Sequence, residues 1–118
     1  MKKVMLVQYD EILSRTLTDI LEMLEYAPTL AFTCEDAVAK VENGYDPDIV
    51  MLDLGMPGLS GSGTLSLLRT LRPTLPVLLT TGRVDKLVQD FVIEHKGVAL
   101  LAKPFTLAEL RYHLADFV

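Results

Sequence analysis

The stretch DIVMLDL, Asp48 to Leu54, governs the reading of the whole chain. Ile49 to Leu52 run without a polar interruption, the pattern of a strand covered on both faces rather than one with a wet side. The run ends in an acid, Asp53, and passes into GMPGLSGSG, whose turn residues stop the strand. Apolar runs of similar length recur on either side: VMLV (Val4–Val7), the weaker TLAFT (Thr29–Thr33), PVLLTT (Pro76–Thr81) and VALLA (Val98–Ala102).

Between these runs, apolar residues return every three or four positions, as on a helix with one buried face. Glu11 to Tyr26 carries Ile12, Leu13, Leu17, Ile20, Leu21 and Leu24 in this way, and Pro28 follows its end. Thr33 with Asp36 forms a capping pattern for a short helix reaching Val41, closed by Asn43-Gly44. A third helix is predicted from about Gly63 to Leu71, with Leu65, Leu68 and Leu71 on one side. The fourth runs from Val84 to Glu94, turning Val84, Leu87, Val88, Phe91 and Val92 inward. Thr106 and Glu109 cap a fifth that runs to the end. Five strand–helix units with short connections predict an α/β fold, an open parallel sheet with helices on both faces.

The 118 residues, 1–118, form one domain, long enough to bury a core without staples. Half are apolar and 23% charged, the balance of a folded chain rather than a disordered one. A net charge of −5, with eleven Lys and Arg dispersed along the sequence, argues against direct nucleic-acid binding. No apolar run approaches the ~20 residues of a membrane span. MKK followed by VMLV lacks the longer apolar core of a secretion signal. The expected location is therefore cytoplasmic, with no direct membrane contact. The single Cys34 excludes an internal disulfide, and with only His95 and His113 elsewhere it makes a poor zinc site.

In a sheet of this kind, ligands bind beyond the carboxyl ends of the strands. Those ends carry Asp10 and Glu11, then Asp53, then Thr80 and Thr81, then Lys103 followed by Pro104 and Phe105. Carboxylates, a hydroxyl and a lysine on one edge suit a divalent cation and a phosphoryl group. Magnesium favours carboxylate oxygens and water; the lysine offers a point charge and the hydroxyl a neutral hydrogen bond. Singly, each has an ordinary alternative. Asp10 is equally a helix cap, Asp53 a turn acid, Thr81 a cap, and Lys103 a solvated surface residue. Their joint placement carries the functional reading.

Three motifs, LDLGMPGLSG around Asp53, PVLLTTG with Thr81 and LLAKPF with Lys103, in this order and spacing, resemble the receiver domain of two-component response regulators. The resemblance covers essentially the whole chain. It implies a flavodoxin-like, doubly wound five-stranded parallel sheet of order 2-1-3-4-5, with five helices in a three-layer α/β/α arrangement. It implies that Asp53 is the phosphoacceptor, served by a histidine kinase or phosphotransfer domain. Mg2+ would be held by Asp10, Asp53 and the backbone carbonyl of Gly55. Thr81 would hydrogen-bond the phosphoryl group and switch, Lys103 would pair with Asp53, and the Lys103–Pro104 peptide would be cis. Such a domain assists its own phosphoryl transfer without being a turnover enzyme. A homodimer would form through the fourth helix, fifth strand and fifth helix.

The chain departs from the family pattern in two places. The first strand usually ends in two adjacent acids; matched to it, Tyr9 takes the first place and Asp10 the second, with Glu11 and Tyr9 as accessory candidates. An aromatic residue usually stands three positions before the lysine, where this chain has Leu100. Nothing follows Val118 in the sequence, which fits a stand-alone regulator or a module of a hybrid kinase, with no output domain. The alternative function is a pseudo-receiver, the same fold used as a phosphorylation-independent interaction module. An aspartyl phosphohydrolase needs a second acid two residues after Asp53, where Gly55 stands.

Overall fold

The continuous apolar runs become the strands β1 (Lys3–Val7), β3 (Ile49–Asp53) and β4 (Val77–Thr81), buried almost throughout. β2 (Ala27–Ala31) and β5 (Val98–Ala102) flank them in a parallel sheet of order β2-β1-β3-β4-β5, as expected. Among the residues described in this computed structural model, 1–54 and 61–117, with the side chains of 61 and 62 excepted, the connections are α1 (Glu11–Met23), α2 (Cys34–Glu42), α3 (Gly61–Leu71), α4 (Lys86–Glu94) and α5 (Leu107–Ala115).

Strand alternation divides the core in two. Met5, Val7, Val50, Leu52, Val77 and Leu79 point to the face covered by α2 and α3. Val4, Leu6, Ile49, Met51, Leu78 and Leu101 point to the other, against Leu17 and Leu21 of α1 and Leu110 and Leu114 of α5. Because side chains alternate along a strand, this division continues to the strand ends and fixes which residues share the site.

The caps follow the sequence closely. Thr33 accepts from the Asp36 N–H, and Thr106 and Glu109 form a reciprocal capping box at α5. Gly44 takes φ +101° just past α2, a conformation that only glycine enters without strain.

Several boundaries and faces differ from expectation; α5, for one, ends at Ala115 rather than at the end of the chain. β2 begins two residues earlier than Thr29–Thr33 and contains Pro28, opposite Val4. It is an edge strand, with one side unpaired, where a missing N–H costs no ladder bond. α1 ends at Met23 rather than Tyr26, because Glu25 turns to φ 68° and the Tyr26 N–H bonds back to Leu21. α4 begins at Lys86, capped by Asp85, so Val84 precedes the helix; Val84 and, on the helix, Leu87 are 43% and 81% exposed rather than inward. Only Phe91 and Val92 of that helix pack on the α2–α3 side of the core. α4 covers a sheet margin, so a narrow stripe suffices.

Candidate functional site

Asp53 ends β3 on the α1–α5 face of the sheet and is 5% exposed. An isolated charge there is costly, so the carboxylate needs partners. Two donors converge on its Oδ2. Lys103 Nζ, from just beyond β5, forms an ion pair with it. Gln8 Nε2, from just beyond β1, donates to the same oxygen at 3.0 Å.

Gln8 was not singled out from the sequence. It lies one step beyond the last paired residues, Val7 and Leu52, at the same offset that separates it from Asp53. Its backbone N–H continues the ladder to Ala31 O at 3.0 Å, and its side chain is 2% exposed. By alternation, Gln8, Asp53, Thr80 and Lys103 lie on one face, while Tyr9 and Thr81 lie on the other. Tyr9, assigned to the pocket by motif matching, is 54% exposed. The polar residue beside the Asp53 carboxylate is Gln8. Counting strand parity back from Asp53 would have found it.

Asp10 caps α1. Its Oδ1 accepts from the Ile12 and Leu13 N–H groups at 3.0 Å each, the geometry of a helix cap. Its own N–H donates to Gln8 Oε1 at 3.2 Å, and Ser14 Oγ ties the turn by donating to Asp10 O at 2.6 Å. Glu11 is an exposed first-turn acid, favourably placed for the helix dipole. Thr81 Oγ1 is engaged within its own turn, accepting from the Arg83 N–H and donating to Arg83 O, both at 3.0 Å. The Thr81 carbonyl accepts from the Lys103 N–H at 2.7 Å, and the Lys103–Pro104 peptide is cis. A cleft of about 460 Å³ opens beside the pair, lined by Gln8, Leu13, Leu17, Thr80, Lys103 and Phe105 among others. Gly55, expected to offer its carbonyl to the metal, lies outside the described residues.

A family model for the response regulator receiver domain matches residues 4–115. The chain belongs to that family. Among curated relatives, this receiver domain is 33% identical over 110 residues to the transcriptional regulatory protein CpxR of Klebsiella pneumoniae, covering 93% of this chain and 46% of that protein. It is 38% identical over 106 residues to the response regulator protein FleR of Pseudomonas aeruginosa, covering 87% of this chain and 22% of the relative. The chain thus spans under half the length of these two relatives. Among solved structures, the chemotaxis protein CheY4 of Vibrio cholerae superposes with a TM-score of 0.91 at 21% identity, covering 100% of this chain and 99% of that one. The receiver domain of a sensor histidine kinase from Pseudomonas aeruginosa, with magnesium coordinated in its active-site cleft, gives 0.86 at 23% identity, covering 98% and 96%. These likenesses establish the fold, and family membership places the domain in two-component signalling.

Receiver domains bind Mg2+ in the active site, and this chain meets that chemistry in part. Asp53 and Asp10 supply carboxylate oxygens of the right kind. Among the described residues, however, no group of three or more His, Cys, Asp or Glu gathers to hold a metal ion. The neighbour nearest Asp53 on the β1 side presents an amide N–H.

Proposed function

We propose that the domain is the phosphoacceptor switch of a two-component phosphorelay, with Asp53 as acceptor. The observation that supports this reading is the buried Asp53 carboxylate at the carboxyl edge of the sheet, paired with Lys103. In the transfer, a carboxylate oxygen of Asp53 attacks phosphorus and the P–N bond of a phosphohistidine breaks. The leaving imidazole keeps the electron pair, and Asp53 becomes a mixed anhydride, labile enough to serve as a timed signal. Lys103 stays beside the developing charge and offsets the repulsion between two anions. Asp53, and Asp10 once it gives up its two capping bonds, would hold Mg2+, which supplies positive charge to the phosphoryl oxygens when bound. For Thr81, meeting a phosphoryl oxygen means exchanging its bonds to Arg83, which would couple acceptance to the β4–α4 turn.

The partner on this reading is a histidine kinase or phosphotransfer domain, in the cytoplasm, and the domain is not a turnover enzyme. A second copy would dock through α4, β5 and α5, where Leu87, Ile93 and Tyr112 are 81%, 81% and 69% exposed. Among the described residues, no helix is long and apolar enough to cross a membrane.

A second reading, the pseudo-receiver, is favoured by the amide at position 8 and by the capping role of Asp10. One experiment separates the two. The protein is incubated with acetyl phosphate and magnesium, and its intact mass is measured. A mass increase of one phosphoryl group that Asp53→Asn abolishes supports the switch; no phosphoprotein, with the fold intact, supports the pseudo-receiver.

A further inference from the structure

The Gln8 side chain is spanned at both ends. Its Oε1 accepts from the Asp10 backbone N–H at 3.2 Å and its Nε2 donates to Asp53 Oδ2 at 3.0 Å. A backbone N–H can only donate, and an ionised carboxylate paired with a lysine can only accept. Only one orientation of the amide satisfies both, so the assignment of its oxygen and nitrogen follows from the neighbours rather than from convention. The amide oxygen, the one side-chain atom of Gln8 able to ligate a cation, is thereby engaged by the β1–α1 turn. The amide nitrogen, which cannot ligate one, faces Asp53.

The charge balance follows. A carboxylate at position 8 would set two like charges side by side, an arrangement that asks for a cation between them. With glutamine there, the same oxygen of Asp53 takes a charged donor and a neutral donor, and the Asp53 charge is balanced by Lys103 without a cation.

We propose that Gln8 is a positioning residue that holds Asp53 against Lys103 without a divalent cation, so that magnesium competes with an existing hydrogen bond rather than completing the site. Position 8, not position 9, then sets the metal affinity of the pocket. This concerns the resting site and does not depend on phosphoryl acceptance.

The test uses magnesium chloride alone, with no phosphodonor, titrated into wild type, Gln8→Asp and Gln8→Ala and followed by backbone amide NMR shifts. Gln8→Asp is expected to bind magnesium at least about tenfold more tightly, since it places a negative charge close to the cation in a poorly solvated site. Wild type is expected to show no saturable shift over the range that saturates the variant. Equal affinity in the two proteins overturns the proposal. Should Gln8→Asp lose its native spectrum, Gln8→Ala decides. It removes the competing amide without adding charge, so its affinity must rise above wild type, and an unchanged value overturns the competition. Neither result bears on whether acetyl phosphate modifies Asp53, so the two proposals can fail separately.

Discussion

The two flanks of Asp53 do similar work by different means. From the β5 side, Lys103 reaches the carboxylate with a full charge on a long stem, 29% exposed and open to solvent at its side. From the β1 side, Gln8 reaches the same oxygen with a neutral amide, 2% exposed and fixed at both ends. The β5 flank follows the family pattern and the β1 flank departs from it. One flank therefore meets the carboxylate with electrostatic reach, the other with rigid positioning.

Removing the charged flank should have the largest effect. Lys103→Met leaves Asp53 buried with its principal countercharge gone. Breaking a fully buried pair costs about 3–5 kcal/mol; with Lys103 part-exposed, about 2 kcal/mol is expected in urea unfolding, together with loss of any acetyl-phosphate labelling. Unchanged stability would show that Lys103 does not neutralise Asp53. Gln8→Met keeps much of the side chain's shape and deletes only the hydrogen bonds, so about 1 kcal/mol is expected. A loss exceeding that of Lys103→Met would reverse the assigned roles.

This asymmetry also explains what the sequence revealed. Asp53, Thr81 and Lys103 stand at abrupt ends of apolar runs, where a polar residue is conspicuous, and all three appear at the carboxyl edge as expected. Gln8 also follows such a run, but beside Tyr9, Asp10 and Glu11 an uncharged amide is inconspicuous. The motif match aligned an acid with an acid, whereas the backbone aligns positions by parity. The earlier start of β2 has a related cause: Pro28 reads locally as a break in regular structure, and tolerance for it comes from the edge position that only the assembled sheet defines. On α4, periodicity marked an apolar stripe but not how much of it the sheet margin could cover, which left Leu87 outside.

Asp10 provides a smaller and cleaner comparison, because capping and metal binding ask different things of it. Asp10→Ala removes both bonds to the first turn of α1 and should cost about 1 kcal/mol. For a domain of this size that lowers Tm by about 4 °C in calorimetry. Asp10→Asn keeps a side-chain oxygen for the cap and should leave Tm within about 1 °C of wild type, since asparagine caps as well as aspartate. A fall in Asp10→Asn matching that of Asp10→Ala would mean that charge, not capping geometry, holds the turn.

The smallest effect is expected at Tyr9, and it bears most directly on which residue faces the metal. Tyr9→Asp adds a negative charge near the site, but on a half-exposed side chain of the opposite strand parity. Across water, two unit charges at 4 Å interact by about 1 kcal/mol, against about 4 kcal/mol at the effective dielectric of a partly buried site. A modest gain in magnesium affinity is therefore expected at low salt, fading as added salt shortens the screening length to about 8 Å at physiological ionic strength. The gain from Gln8→Asp should persist, because a buried charge is poorly screened. Magnesium titrations of both variants at two salt concentrations make the distinction. If Tyr9→Asp equals Gln8→Asp in size and resists salt, position 9 turns into the pocket when the cation binds, and the β1 end must rearrange there. If only Gln8→Asp resists salt, the strand parity seen at rest also governs the metal-bound site.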